Sequence, residues 1–166
     1  MIAMSGRKKD DDPLLQAVTR LGADVVNSDR FRSAWDIPHH RSENVALHSL
    51  RVAQESYRIA AWLHRHGIPV DVEDAVFGGL LHDIGMTEKQ VSSSPSWKKA
   101  YSHPHLGAEI AENEYFANAT QKDAVRRHMW PICVIPPSHA AGWIVLAADK
   151  IVSMREIFHG KRERKK

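Results

Sequence analysis

The stretch from Ser42 to His66 constrains this chain more than any other. Its apolar residues recur at helical spacing and fall on two stripes. Val45, His48, Val52 and Ile59 share one; Leu50, Ala53, Tyr57, Ala60 and His64 share the other. One stripe marks a surface helix, whereas two imply a helix mostly surrounded by protein. Gly67 and Pro69 end it. Almost nothing elsewhere alternates with period two, so strands are not expected. A length of 166 residues suits one domain with a single sizeable core. The expected fold is therefore all-α, a compact bundle of about six helices.

Five further helices are expected around that long one. Leu14 to about Val26 is the first, with Asp12 as N-cap and Pro13 in the first position. Residues 27–41 read as irregular. Val72 to about Ile84 follows, capped by Asp71 and stopped by Gly85. Met86 to Ser102 is rich in serine and lysine and reads as a long loop, a lid by its length. Pro104 to about Phe116, a helix capped by Thr120 that reaches His128 or Met129, and one from Ser138 to about Phe158 complete the set. The domain is expected over residues 13–160, between a flexible N-terminus (1–12) and a flexible basic tail (161–166).

Composition narrows the function. Cys133 is the only cysteine, which excludes a disulfide and a cysteine-based zinc site within one chain. A reducing, cytoplasmic location is the expectation. No apolar run approaches the ~20 residues that span a bilayer, so no membrane partner is expected. Of the net charge of +3, the tail Lys161–Lys166 supplies +4, leaving a body near neutrality and no expectation of specific nucleic-acid binding. Eleven histidines raise the prospect of a metal site.

Three greasy helix faces each deliver a coordinating group. His48 lies on the apolar stripe of the long helix. His82-Asp83 ends an apolar run, and Asp149 follows Trp143-Ile-Val-Leu-Ala-Ala148. A carboxylate in such a setting needs a strong partner, because an unpaired buried charge is very costly. Adjacent residues on a helix point about 100° apart, so His82 and Asp83 reach one centre only where the helix is ending, as Gly85 implies. A mixed N/O set suits Mn, Fe, Zn, Co or Mg rather than a metal selected by thiolates.

His48 in Glu43-Asn-Val-Ala-Leu-His48, the string Gly79-Leu-Leu-His82-Asp83-Ile-Gly85, and Asp149 in Leu146-Ala-Ala-Asp149-Lys150 together resemble the HD superfamily of metal-dependent phosphohydrolases, over roughly residues 40–158. His103-Pro104-His105-Leu106-Gly107 is similar to the His-Pro-x-x-Gly element of HD-GYP-type members, and His128 follows one helix later. The resemblance implies two divalent ions bridged by Asp83, with His48, His82 and Asp149 on one and His103 and His128 on the other. Such a pair shares a hydroxide and clamps a phosphate for in-line attack. The implied substrate is a small phosphorylated molecule, a phosphomonoester or phosphodiester such as a nucleotide or a related compound, with Fe or Mn favoured over Zn, Mg or Co.

The chain also departs from that pattern. Met86 stands where many members carry Lys, and the Gly-Tyr-Pro element of cyclic-di-GMP phosphodiesterases is missing, which argues against that substrate. The string His128-Met129-Trp130-Pro131 resembles that of small stand-alone bacterial HD proteins. Two alternatives share the ligand set: a di-iron oxygenase, and a non-catalytic HD module for binding or regulation. Arg51, one turn beyond His48, is a candidate for substrate phosphate, with a salt bridge to Glu55 as the plain alternative. Lys150 is the second phosphate candidate, and Lys89, Lys98 and Lys99 lie on the expected lid. His105 reads as a neighbour of His103 rather than a ligand. His39 and His40 read as surface residues near the mouth. A homodimer is compatible with the apolar helix faces.

Overall fold

The computed structural model describes residues 12–39 and 44–163, without the side chains of 90–91 and 159–163. In chain order the elements are α1 (Pro13–Leu21), α2 (Ala23–Val26), α3 (Asp29–Ser33), a 3-10 turn (Ala34–Asp36), α4 (Val45–Arg65), α5 (Val72–Leu81) and a second 3-10 turn (Ile84–Thr87). They continue with α6 (Lys89–Ser92), α7 (Ser96–Tyr115), α8 (Ala119–Arg127) and α9 (Ala140–Glu163). No strand occurs among the described residues, only an isolated bridge between Pro38 and Asn44. The all-α expectation holds, and the six helices of nine or more residues correspond to the six expected.

The doubly striped helix is the centre of the fold. Asn44 caps α4 by accepting the Leu47 N–H at 2.8 Å. The helix packs on α1, α5 and α9. Phe31, Val45, Val76, Leu80, Leu81 and Ile84 form the main core with Val18 and Val25. Burying a side chain of this size is worth ~1.5–3 kcal/mol. A smaller cluster of Ala60, Val70, Ala75, Ala141 and Ile144 closes the far end. Gly79 permits the tight α4–α5 crossing, since a Cβ there would lie 2.8 Å from the Ala53 Cα.

Several boundaries differ from the sequence expectation, each for a local reason. The first helix is split at Gly22, where the backbone lies so close to Leu80 that a side chain would collide with it. Within 27–41, Ser28 accepts the Phe31 N–H at 3.1 Å and starts α3, which drives Phe31 into the core. The lid is not an irregular loop. Its residues form the second 3-10 turn, α6 and the start of α7, so Pro104 sits inside a helix rather than at its first turn. Asn118, not Thr120, caps α8, in a capping box with Gln121. α9 runs past its expected end near Phe158 and through Gly160 to Glu163, because one glycine costs only ~1 kcal/mol in a helix. The expected flexible N-terminus, apart from Asp12, and residues 164–166 of the tail lie outside the described residues. No described helix is long and apolar enough to cross a membrane.

Candidate metal centre

Five elements or their ends converge on Asp83. α5 ends at Leu81, and the chain turns through His82 and Asp83 into the following 3-10 turn, so neighbouring side chains reach the same point. Gly85 lets this turn lie against α7, since a Cβ there would collide with the His103 carbonyl. His103 then stands beside Asp83. α4 contributes His48, the end of α8 contributes His128, and α9 contributes Asp149. All six candidate ligands are buried.

The distances describe one compact cluster. His103 Nε2 is 3.1 Å and His128 Nε2 3.6 Å from Asp83 Oδ1. His82 Nε2 is 3.4 Å from Asp83 Oδ2 and 4.0 Å from Asp149 Oδ1. His48 Nε2 is 3.2 Å from Asp149 Oδ1. Among the described residues, His48, His82 and Asp149 form one group of donors able to hold a metal ion, and His82, Asp83 and His128 another.

The hydrogen bonds behind these histidines fix which nitrogen faces the centre. His82 Nδ1 lies 2.8 Å from the Gly79 carbonyl, His103 Nδ1 2.6 Å from that of Lys99, and His128 Nδ1 2.7 Å from that of Val125. A carbonyl only accepts, so each Nδ1 carries a proton and each Nε2 of a neutral ring presents a lone pair inward. His82 Nε2 is buried and has no hydrogen-bond partner among the described residues. His103 and His128 Nε2 face each other at 3.0 Å. Lone pairs that close need a proton or a cation between them. The donor set therefore fits divalent metal, and the backbone bonds are the outer partners that orient metal-binding imidazoles.

Electrostatics agree. Burial opposes the charge on His48, but its bonds to Asp149 and Glu156 outweigh that and push its pKa up to about 10. Burial also opposes charge on His103, yet Asp83 raises it. His128 is pushed down to about 4 by burial, reinforced by the charges of His82 and His103. Burial works against ionisation of Asp83 and Asp149. The surrounding histidines win, and both carboxyls lie below the usual range.

Two residues of the site escaped the sequence reading. Glu156 bonds His48 Nδ1 at 3.0 Å and so orients that ring from behind. Its signal was present: Asp149, Ser153 and Glu156 share one face of α9 at helical spacing. His39 was read as a surface residue, but its Nε2 lies 3.0 Å from Asp83 Oδ2. Its ring stacks on His48, with centroids 4.1 Å apart. His40 lies outside the described residues.

Beside the centre lies a cavity of about 330 Å³. It is lined by Asp83, His103, His128, Asp149 and His39 of the centre, and also by Ser96, Lys99, Lys150 and Ser153. Lys150 Nζ is 2.7 Å from Asp149 Oδ2. Arg51 does not belong to this cavity. It pairs with Glu156 at 2.9 Å, behind His48, rather than with Glu55. Glu55 instead pairs with Arg58 and Arg155. His105 lines a separate cavity with Tyr101 and Arg126.

The HD domain family profile matches residues 45–153, most of the chain. The chain is an HD domain protein. This HD domain is 32% identical over 108 residues to an uncharacterised protein of Methanocaldococcus jannaschii, covering 57% of this chain and 59% of that one. It is 43% identical over 88 residues to proteins named ribonuclease Y from Mycoplasma capricolum and Mycoplasma mycoides, covering 53% of this chain and 14% of each relative. The chain thus spans just over half of the archaeal relative and a small part of the ribonucleases. No solved structure matches it.

Proposed function

We propose that this HD domain protein is a metal-dependent phosphohydrolase that cleaves a phosphomonoester or phosphodiester of a small, nucleotide-like molecule. The observation that carries the reading is the convergence of four inward-facing histidine Nε2 atoms on the carboxylates of Asp83 and Asp149, beside a cavity with two lysines on its wall. His48, His82 and Asp149 would hold one divalent ion and His103 and His128 a second, with Asp83 between them. When bound, such ions supply positive charge opposite phosphoryl oxygens and bring the pKa of water toward neutrality.

The protein's own residues do the rest. The buried Nδ1–carbonyl bonds hold His82, His103 and His128 in the ligating tautomer. Glu156 does the same for His48. Lys99 and Lys150 face the cavity and would meet the phosphate. The likeness to proteins named ribonuclease Y supports a phosphodiester among the substrates. The cavity volume supports a small substrate rather than a folded one.

The test is a panel of phosphomonoesters, nucleotides and cyclic and linear dinucleotides, assayed on ion-free protein reloaded with Mn2+, Fe2+, Co2+, Zn2+ or Mg2+. Phosphate or nucleotide release that needs metal and disappears in Asp83→Asn supports the reading. Oxygen consumption by the iron-loaded protein without hydrolysis would favour the oxygenase alternative. Metal binding without turnover of any kind would favour a binding module.

A further inference from the structure

Asp83 presents its two oxygens to different histidines. Oδ1 faces His103 and His128, whereas Oδ2 faces His82 at 3.4 Å and His39 at 3.0 Å. We propose that His39 is an additional metal ligand, placed on the Oδ2 side of the centre from outside the matched HD region. The proposal rests on the metal-centre reading above.

Three observations carry it. His39, His48 and Asp83 each offer a donor atom, and these atoms lie within 4.8 Å of one another, the same closeness that groups His48, His82 and Asp149. The imidazole is an inward-facing one, its side chain only 11% exposed and its ring stacked on His48 with 22° between planes. The backbone also holds it there. The Val45 N–H donates to the Ile37 carbonyl at 3.0 Å, and Pro38 bridges to Asn44, so the chain doubles back onto the start of α4. Pro38 fixes one more dihedral directly before the histidine.

An ion on this side would then be held by His39 together with His48 and Asp83. Such a mixed N/O set suits Mn, Fe, Co or Zn.

The experiment uses the full chain stripped of metal and titrated with Co2+ against a chromophoric chelator, with the visible spectrum recorded. His39→Ala and His39→Gln are compared with the unaltered protein and with His105→Ala, which lies at the separate cavity. The expected result is at least a tenfold loss of affinity for one Co2+ equivalent in both His39 variants. A shift of the visible band to longer wavelength should accompany it, as water replaces imidazole. Helix content by circular dichroism should be retained in at least the Gln variant, and His105→Ala should behave as the unaltered protein. Unaltered affinity and spectrum in both His39 variants would overturn the assignment alone. Failure of the unaltered protein to bind Co2+ at all would overturn the metal-centre reading and this proposal with it.

Discussion

His103 and His128 bring their Nε2 atoms to 3.0 Å while the opposite nitrogen of each ring donates to a carbonyl of its own helix. In ion-free protein a proton must sit in that gap; Asp83 raises the pKa of His103, while burial lowers that of His128. A cation relieves the arrangement better, because it satisfies both lone pairs and Asp83 together. Metal should therefore stabilise the fold. With free Co2+ or Mn2+ at about 100 times Kd the gain is ~2.7 kcal/mol, raising Tm by roughly 5–10 °C. Thermal unfolding with and without chelator checks this; an unchanged Tm would count against it.

Loading should also release protons. His48, pushed up to about 10, holds a proton at pH 7.5 in the ion-free centre, and Asp83 raises the pKa of His103 beside it. A metal ion competes for the same Nε2 atoms, so binding expels protons and affinity rises with pH. About one to two protons per chain should appear in weakly buffered solution on adding Co2+. An indicator-dye titration would show the release, and proton uptake would contradict the assignment of ligands.

Glu156 touches His48 and not the cavity, so its effect should be indirect. Glu156→Gln keeps the shape but removes the charge behind the ring. Metal affinity should fall about 10–100-fold, with helix content unchanged. Chelator competition measures it, and unaltered affinity would show that the His48–Glu156 bond at 3.0 Å does not tune the centre.

Lys99 should act on substrate rather than metal, and Lys150 on both, because its Nζ also bonds Asp149 at 2.7 Å. Lys99→Ala or Lys150→Ala should raise KM about tenfold for a hydrolysed phosphoester, the cost of one charge-assisted hydrogen bond. Metal content should stay the same in Lys99→Ala. Arg51→Ala should leave KM nearly untouched, because Arg51 faces Glu156. Steady-state kinetics separate these outcomes.

Phe116 ends α7 in the left-handed region at φ 55° with its ring almost fully exposed. A side chain pays for that conformation and here packs against little. Phe116→Gly should stabilise the protein by ~1 kcal/mol. Urea unfolding tests it, and a loss of stability would show that the ring has a packing role.

The sequence made the six candidate ligands legible because each sits in a local pattern. His48 and Asp149 interrupt apolar helical stripes, His82 and Asp83 end one, and His103 and His128 follow known spacings. Glu156 was legible by the same periodicity and was passed over because its partner, His48, lies on another helix. His39 had no such signal. Its place depends on the Ile37–Val45 backbone bond, a tertiary fact that no spacing encodes. The start of α7 was hidden by Pro104, which is tolerated inside the helix, while Pro95 at its N-cap marks the true start. Arg51 was placed on the correct face, but that face turns its guanidinium to Glu156 rather than to the cavity.

The most direct test of the paired centre is elemental analysis of freshly purified full chain, beside His128→Ala. The account predicts about two divalent ions per chain, falling to about one in the variant. One ion per chain, unchanged by the substitution, would contradict the pair. No metal in either protein, even after anaerobic reconstitution, would contradict a metal centre altogether.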